Sequence, residues 1–328
     1  MTIHCRSASA RIIPILNGRW SFCGSSLPLL VTALLLVTAC QQEPATPVSE
    51  APATQLPRGV SPVGEPLTTT GSTGSQDLEQ WLAAFSQTTR DMQVPSYIIG
   101  PADQPLIAAV VLHYDDFTPV ILRQPSSEAL QKARSNSNAE GVSAWEALHQ
   151  DQVAVIGSSF LSLVRTLEPR GLLKVDGELI SDLEIHGYTR VLGINDQQQL
   201  AVVHRSEYPA QQFSSALQAG PGIIEVGVLD ISIRDLQRPR YFRSFVATCT
   251  DRVLIGVTLQ PMNLRTVGEA LLEAAYKHHL SCAEVINLAG DREAVLALRS
   301  TENLVFHGNP AAKKAALIGF RRRSQSTQ

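Results

Sequence analysis

The chain has 328 residues, 44% of them apolar, and a formal net charge of −3. Near-neutrality, with a single run of three basic residues at Arg321, Arg322 and Arg323, excludes the basic face that a nucleic-acid partner requires. Some 240 residues, from Asp77 to Phe320, suffice for one large domain with a full core.

The first 39 residues have the layout of a secretory signal. His4, Arg6, Arg11 and Arg19 precede an apolar core from Leu27 to Ala39, and no acid occurs before Glu43. A spanning helix needs ~20 apolar residues, so this core is too short to cross a bilayer permanently. It ends in Leu36-Val37-Thr38-Ala39-Cys40, which resembles the lipobox of bacterial lipoproteins. That resemblance implies that Cys40 becomes the acylated first residue of the mature protein, a partner of the membrane through its lipid. An ordinary cleaved signal with an incidental cysteine is the alternative. Gln41 after the cysteine, where aspartate would retain the protein at the inner membrane, favours the outer membrane; the expected location is the cell envelope, facing the periplasm or the exterior.

Residues 40–76 hold the cysteine and a spacer. From Gln41 to Gln76 there are six prolines, no aromatic residue and one basic residue, Arg58, so this tract buries too little apolar area to offset the ordering of its backbone. Residues 77–320 are expected to be the folded domain, and 321–328 a basic tail.

Within the domain, three capping-box spacings mark helices. Asp77 with Gln80 opens one whose inward face is Leu78, Trp81, Leu82 and Phe85. Ser143 with Glu146 opens a short one carrying Trp145 and Leu148. Thr266 with Glu269 opens the third, with Val267, Ala270, Leu271, Ala274 and Ala275 inward. Between them, short β-branched runs predict strands at Leu106 to Leu112, Val120 to Leu122 and Val153 to Ile156. Asp176-Gly177 predicts a type I′ hairpin between Leu172 and Ile180. A second hairpin is expected from Arg190 to Val203 about Asp196-Gln197. Further strands are expected at Gly222 to Val228, Phe245 to Thr248, Val253 to Thr258, Glu284 to Leu288, Val295 to Leu298 and Leu304 to Phe306. Many strands and few helices give the fold class: α+β, a mixed and largely antiparallel sheet with hairpins, flanked by a few helices. Cys249 and Cys282 lie in or beside strand-like text, and either a disulfide or two buried free thiols fits them.

Familiar catalytic signatures are missing: no Walker loop, no Gly-x-Ser-x-Gly, no His-Glu-x-x-His and no Cys-x-x-Cys. His278 and His279 are adjacent on a helix, so their side chains diverge by about 100° and cannot share a metal on one face. Asp115-Asp116 has the character of a turn. No cofactor is expected, and a requirement for a divalent metal stays open.

What carries chemistry is an ordered set of strand ends running into turns: Val155-Ile156-Gly157-Ser158-Ser159-Phe160, Gly171 to Glu178, Ala216-Leu217-Gln218-Ala219-Gly220-Pro221, Arg243-Ser244-Phe245-Val246-Ala247, and Val285-Ile286-Asn287-Leu288-Ala289-Gly290-Asp291. In this order and spacing, from about Trp145 to Arg299, they resemble the phosphodiester glycosidase domain family. The resemblance implies hydrolysis of a sugar-phosphate diester in a glycan, or a catalytically inactive glycan- or envelope-binding protein of the same fold. Two segments depart from the family pattern. Gly157 stands where it has asparagine, with Ser158 and Ser159 for glycines, and Ala289 stands at the acid of its Gly-rich loop, with Glu293 at its serine.

Such chemistry needs a cation for the phosphate and a carboxylate for the anomeric centre. Arg243 is the forked phosphate ligand on offer. Asp291 lies two residues after the family's acid, so an extended backbone would return it to the same face; Glu293 is the second choice. The expected site therefore has Arg243 and Asp291 as catalytic residues and Ser158, Ser159, Gln218, Gly220, Ser244 and Asn287 as substrate-binding residues, converging at one sheet edge.

Overall fold

The computed structural model describes residues 75–123, 141–157 and 169–324; the signal, Cys40, the spacer as far as residue 74, Ser158 and Ser159 lie outside them. Among the described residues, seventeen strands form three sheets and every strand pairing is antiparallel, so the architecture is strand-dominated α+β with three sheets in place of one.

The central sheet has the order β1-β2-β13-β12-β14-β10-β11: Ser96–Ile99, Ile107–His113, Arg252–Thr258, Arg243–Cys249, Cys282–Gly290, Gly222–Glu225 and Val228–Leu229. A second sheet runs β16-β15-β4-β17-β3: Leu304–His307, Leu296–Arg299, Ala154–Gly157, Ala316–Arg322 and Phe117–Arg123. The third runs β6-β5-β9-β7-β8: Glu178–Ser181, Leu173–Val175, Ser215–Ala219, Arg190–Ile194 and Leu200–His204. All three contribute one face to a common core, in which Val110, Val246 and Ile286 meet Ile156, Ile318 and Phe320 from the second sheet and Leu192 and Leu217 from the third. β2 is buried along almost its whole length because it is apolar on both faces. Ala108, Val110 and Leu112 enter the common core, while Ile107, Ala109 and Val111 face helix α3 (Leu264–His278) through Leu264, Val267 and Leu271. Helix α2 (Ala144–His149) covers the outer face of the second sheet through Ala147 and Leu148.

Local signals place most of these elements. The Ser143–Glu146 capping box forms in both directions at α2. Asp176 and Gly177 both have positive φ, 49° and 87°, as a type I′ turn requires. Other boundaries move. α3 is capped by Asn263, whose Oδ1 accepts from the Thr266 N–H, so the helix starts before the expected Thr266 box. Helix α1 (Ser75–Asp91) begins two residues ahead of Asp77. The run expected as one strand from Gly222 folds back at Val226-Gly227, both of positive φ, giving β10 and β11. The second hairpin turns over a longer loop, with Asn195 Oδ1 accepting from the N–H groups of Gln197 and Gln199. β1 and β17 are strands that residue patterns did not predict. Arg321 and Arg322, expected to begin a tail, pair with Thr118 and Phe117 at the end of β17.

Two tertiary ties complete the fold. Cys249 and Cys282 are opposite each other on β12 and β14 and form a disulfide, which settles the choice against free thiols. α1 docks through Trp81, whose Nε1 donates to the Phe306 carbonyl at 2.6 Å and whose ring meets the His307 ring edge-on at 5.4 Å. Burial pushes the His307 imidazole down to about 4, with the Thr258 backbone opposing.

Replacing both Cys249 and Cys282 by serine is expected to cost about 2–4 kcal/mol in denaturant unfolding, and mass analysis of the oxidised protein should find neither thiol free. Because the folded state holds His307 neutral while the unfolded chain protonates it near 6.5, its contribution to stability is present above that value and lost as pH falls towards about 4. His307→Gln should remove that step from a plot of stability against pH.

Candidate functional site

The β12–β14 pairing positions the site. Their register runs Arg243↔Gly290 and Ser244↔Ala289, then shifts to Phe245↔Asn287, so a bulge at Leu288 separates the strand ends from the core. Strand alternation sends Ser244 and Val246 towards the common core and Arg243 and Phe245 towards the α3 side. The adjacent positions Arg243 and Ser244 therefore do different things.

Ser244 is fully buried. Its hydroxyl donates to the Gly157 carbonyl at 3.1 Å and accepts from the Ala289 N–H at 3.2 Å, tying the central sheet to β4. Asn287 is also buried; its Nδ2 donates to the Gly220 carbonyl at 3.2 Å, and its backbone exchanges hydrogen bonds with Gly220 and Pro221. The Gly220 amide is thereby taken up by Asn287, and its φ of 125° explains the glycine. Gln218 lies on the outer face of the third sheet. Its Oε1 accepts from the N–H groups of Leu172 and Glu184, and its Nε2 donates to the carbonyls of Glu184 and Tyr188. With both lone pairs and both amide hydrogens engaged, Gln218 has no capacity left for a ligand. Gln218, Gly220, Ser244 and Asn287 thus hold the strand ends together.

Arg243 is different. Its backbone N–H donates to Thr258 Oγ1 at 2.9 Å, its guanidinium lies 5.0 Å over the Tyr241 ring, and its Nε is sealed from solvent without a hydrogen-bond partner. Among the described residues it makes no ion pair. Burial pushes the guanidinium below its usual value, opposed through space by Asp235, Tyr241 and Asp291. Gly290 makes room for it, since an added Cβ would lie 3.0 Å from Nη1. Asp291 follows directly, exposed, with a φ of 53° at the start of a 3-10 turn, Asp291–Glu293. The backbone is therefore not extended there, and the alternation expected to return Asp291 to the face of Ala289 does not operate. Asp291 comes near Arg243 by the Arg243↔Gly290 register and by its amide, which donates to the Phe242 carbonyl at 2.7 Å. Glu293, the second choice for the carboxylate, is bound to the buried Lys314 at 2.5 Å.

Asp235, Tyr241 and Lys314 were not singled out from the sequence. Tyr241, two residues before Arg243, lies outside β12 in an isolated pairing with Met262, so no strand alternation announces it. Asp235 lies eight residues before Arg243 on a 3-10 turn and Lys314 comes from a distant segment, both without a local signal. Among the described residues no group of three or more His, Cys, Asp or Glu side chains is placed to hold a metal, and no helix is long and apolar enough to cross a membrane.

No family model matches the chain, and no curated protein matches it. Among solved structures it is similar to the catalytic domain of zebrafish N-acetylglucosamine-1-phosphodiester alpha-N-acetylglucosaminidase auto-inhibited by its pro-peptide. The TM-score is 0.46 at 13% identity, covering 70% of this chain and 88% of that one. It is also similar to a hypothetical protein from Synechocystis, with a TM-score of 0.49 at 12% identity, covering 70% of this chain and 62% of that one.

Ser244→Ala separates a structural role from a ligand-binding one. It leaves the buried Gly157 carbonyl and Ala289 amide short of a partner, so unfolding experiments should show a loss of about 1–3 kcal/mol. Ligand affinity of the folded fraction should be unchanged.

Proposed function

We propose that this protein is an envelope lipoprotein whose domain takes a sugar-phosphate diester of a glycan, with Arg243 as the phosphate ligand and Asp291 as the carboxylate that serves hydrolysis. The observation that carries this reading is the half-buried guanidinium of Arg243, which among the described residues has no carboxylate in contact and an unpartnered Nε. Taking a cation out of water is costly unless charge and hydrogen bonds are returned to it, and a doubly accepting anion such as a phosphate returns both through the terminal nitrogens. The Tyr241 ring, with its centroid 5.0 Å from the guanidinium carbon, steadies the cation by its negative face.

In hydrolysis the phosphate is itself a good leaving group, so a strong general acid is not needed. Arg243 would stabilise the negative charge that grows on the departing phosphate. Asp291 would stabilise the oxocarbenium-like centre or take the proton of the attacking water. The Cys249–Cys282 disulfide supports an oxidising compartment and so agrees with export through the signal and anchoring at Cys40. The second reading, a glycan- or envelope-binding protein without turnover, is favoured by Ala289. At the family's acid position stands a buried methyl group whose amide is bound to Ser244, and Asp291 sits beyond it on a turn.

Incubating the protein with sugar-1-phosphate diesters and following release of the sugar tests both. Turnover that falls at least about 100-fold in kcat/KM with Arg243→Ala, in a variant whose circular dichroism is unchanged, supports hydrolysis. Saturable binding without turnover, abolished by the same substitution, supports the binding reading. Neither turnover nor binding would remove Arg243 as a ligand site.

A further inference from the structure

A second site lies under the C-terminal half of α3. A cavity of about 270 Å³ separates this helix from the central sheet, and most of its wall is apolar. Ile99 on β1, Leu254 on β13, Ala247 on β12 and Ile224 on β10 contribute to the sheet side, and Leu271 and Ala274 to the helix side. Neither a charged side chain nor a polar one beyond Tyr97, Tyr276 and the disulfide-bonded Cys282 is present in the lining, so a sugar or phosphate would find too few partners there to offset its desolvation. The wall extends from β1 to β10, across five strand spacings and so on the order of 20 Å. That shape is long for its volume, which favours a flexible chain over a ring. At the ~30 Å³ that a water-sized group occupies in a liquid, the cavity holds about nine methylene groups.

The mouth is apolar on the strand side and carries basic groups at the end of the helix. Gly227 lines the cavity between Val226 and Val228, which are 77% and 68% exposed, and Tyr276 across from them is 88% exposed. The carboxylates of Glu225 and Glu284, which alternate with the lining residues Ile224 and Val285, project from the opposite face of the sheet, where Glu225 is bound to Arg190. The last turn of α3 carries Lys277 and His278, and the His278 ring lies 4.7 Å from the ring of Tyr97 in the cavity wall. An anionic head at this end of the cavity is met by basic groups.

We propose that this cavity binds a single unbranched acyl chain, with an anionic head beside Lys277 and His278. It uses none of the residues around Arg243, and it stands or falls separately from the sugar-phosphate reading. The chain comes either from a free fatty acid or from a lipid of the envelope, and the test has an arm for each.

Calorimetric titration of the full chain with decanoate and with 1-decanol, below their aggregation limits, should show one saturable site for both. Ala274→Leu from the helix and Ala247→Leu from the sheet each place new carbon in the cavity. Either should weaken both ligands at least about tenfold while the melting temperature holds or rises. The double substitution Lys277→Glu with His278→Glu should weaken decanoate about fivefold and leave 1-decanol unchanged. Binding to phosphatidylglycerol vesicles that is lost with Ala274→Leu would assign the chain to membrane lipid, and indifference to vesicles would assign it to the free acid. No uptake of decanoate or 1-decanol by the wild-type chain, or uptake that neither filling variant changes, would overturn the proposal.

Discussion

The register of the central sheet is the constraint on which the rest depends. Because β2, β13, β12 and β14 are buried on both faces, a slip by one residue would exchange the common core with the face under α3 and strand Phe245 and Val246 in the wrong surroundings. With the register locked, the ends of the strands are locked too. The bulge at Leu288 then sets Gly290 opposite Arg243, and the disulfide pins the far end of the same pair.

Two cations near these strand ends, one buried and one half-buried, show what is unusual about the site. Lys314 has a side chain only 3% exposed and is matched by Glu293, as a buried charge ordinarily is. Arg243 is fixed to the fold through its backbone and its stacking on Tyr241, yet Asp235 and Asp291 act on it only through space. Asp235 is itself occupied, accepting from the Arg265 amide at the start of α3 at 3.0 Å. On the proposed reading, an anion from outside supplies the charge that the fold withholds from this guanidinium. Ser244, Asn287 and Gln218 serve the backbone around the strand ends instead.

Much of this was legible from residue patterns. Strong local signals survived into the structure: the Ser143–Glu146 box, the Asp176-Gly177 turn and the β-branched runs that became β2, β12, β13 and β14. β17 escaped because Ala315, Ala316 and Gly319 dilute its apolar run, and only pairing with β3 and β4 makes it a strand. Arg243 stood out as a forked cation at a strand start. The roles of its neighbours did not, because strand alternation depends on where the strand begins, and the bulge and the positive φ of Asp291 are set by tertiary pairing. Polar residues in a family-like segment were therefore expected to face a ligand when several of them face the backbone. Lys314 enters from a segment far off in sequence, and Asp235 from a 3-10 turn eight residues before Arg243, and no local pattern announces either.

Hydrolysis and binding alike require Arg243 to receive an anion, and phosphorus NMR observes that event directly. Titrating the protein into N-acetylglucosamine 1-phosphate should shift or broaden the phosphorus resonance in a saturable manner, and Arg243→Lys, which keeps the charge and loses the fork, should weaken the effect by about tenfold or more. A phosphorus resonance that responds equally to wild type and to Arg243→Ala, or to neither, would contradict it.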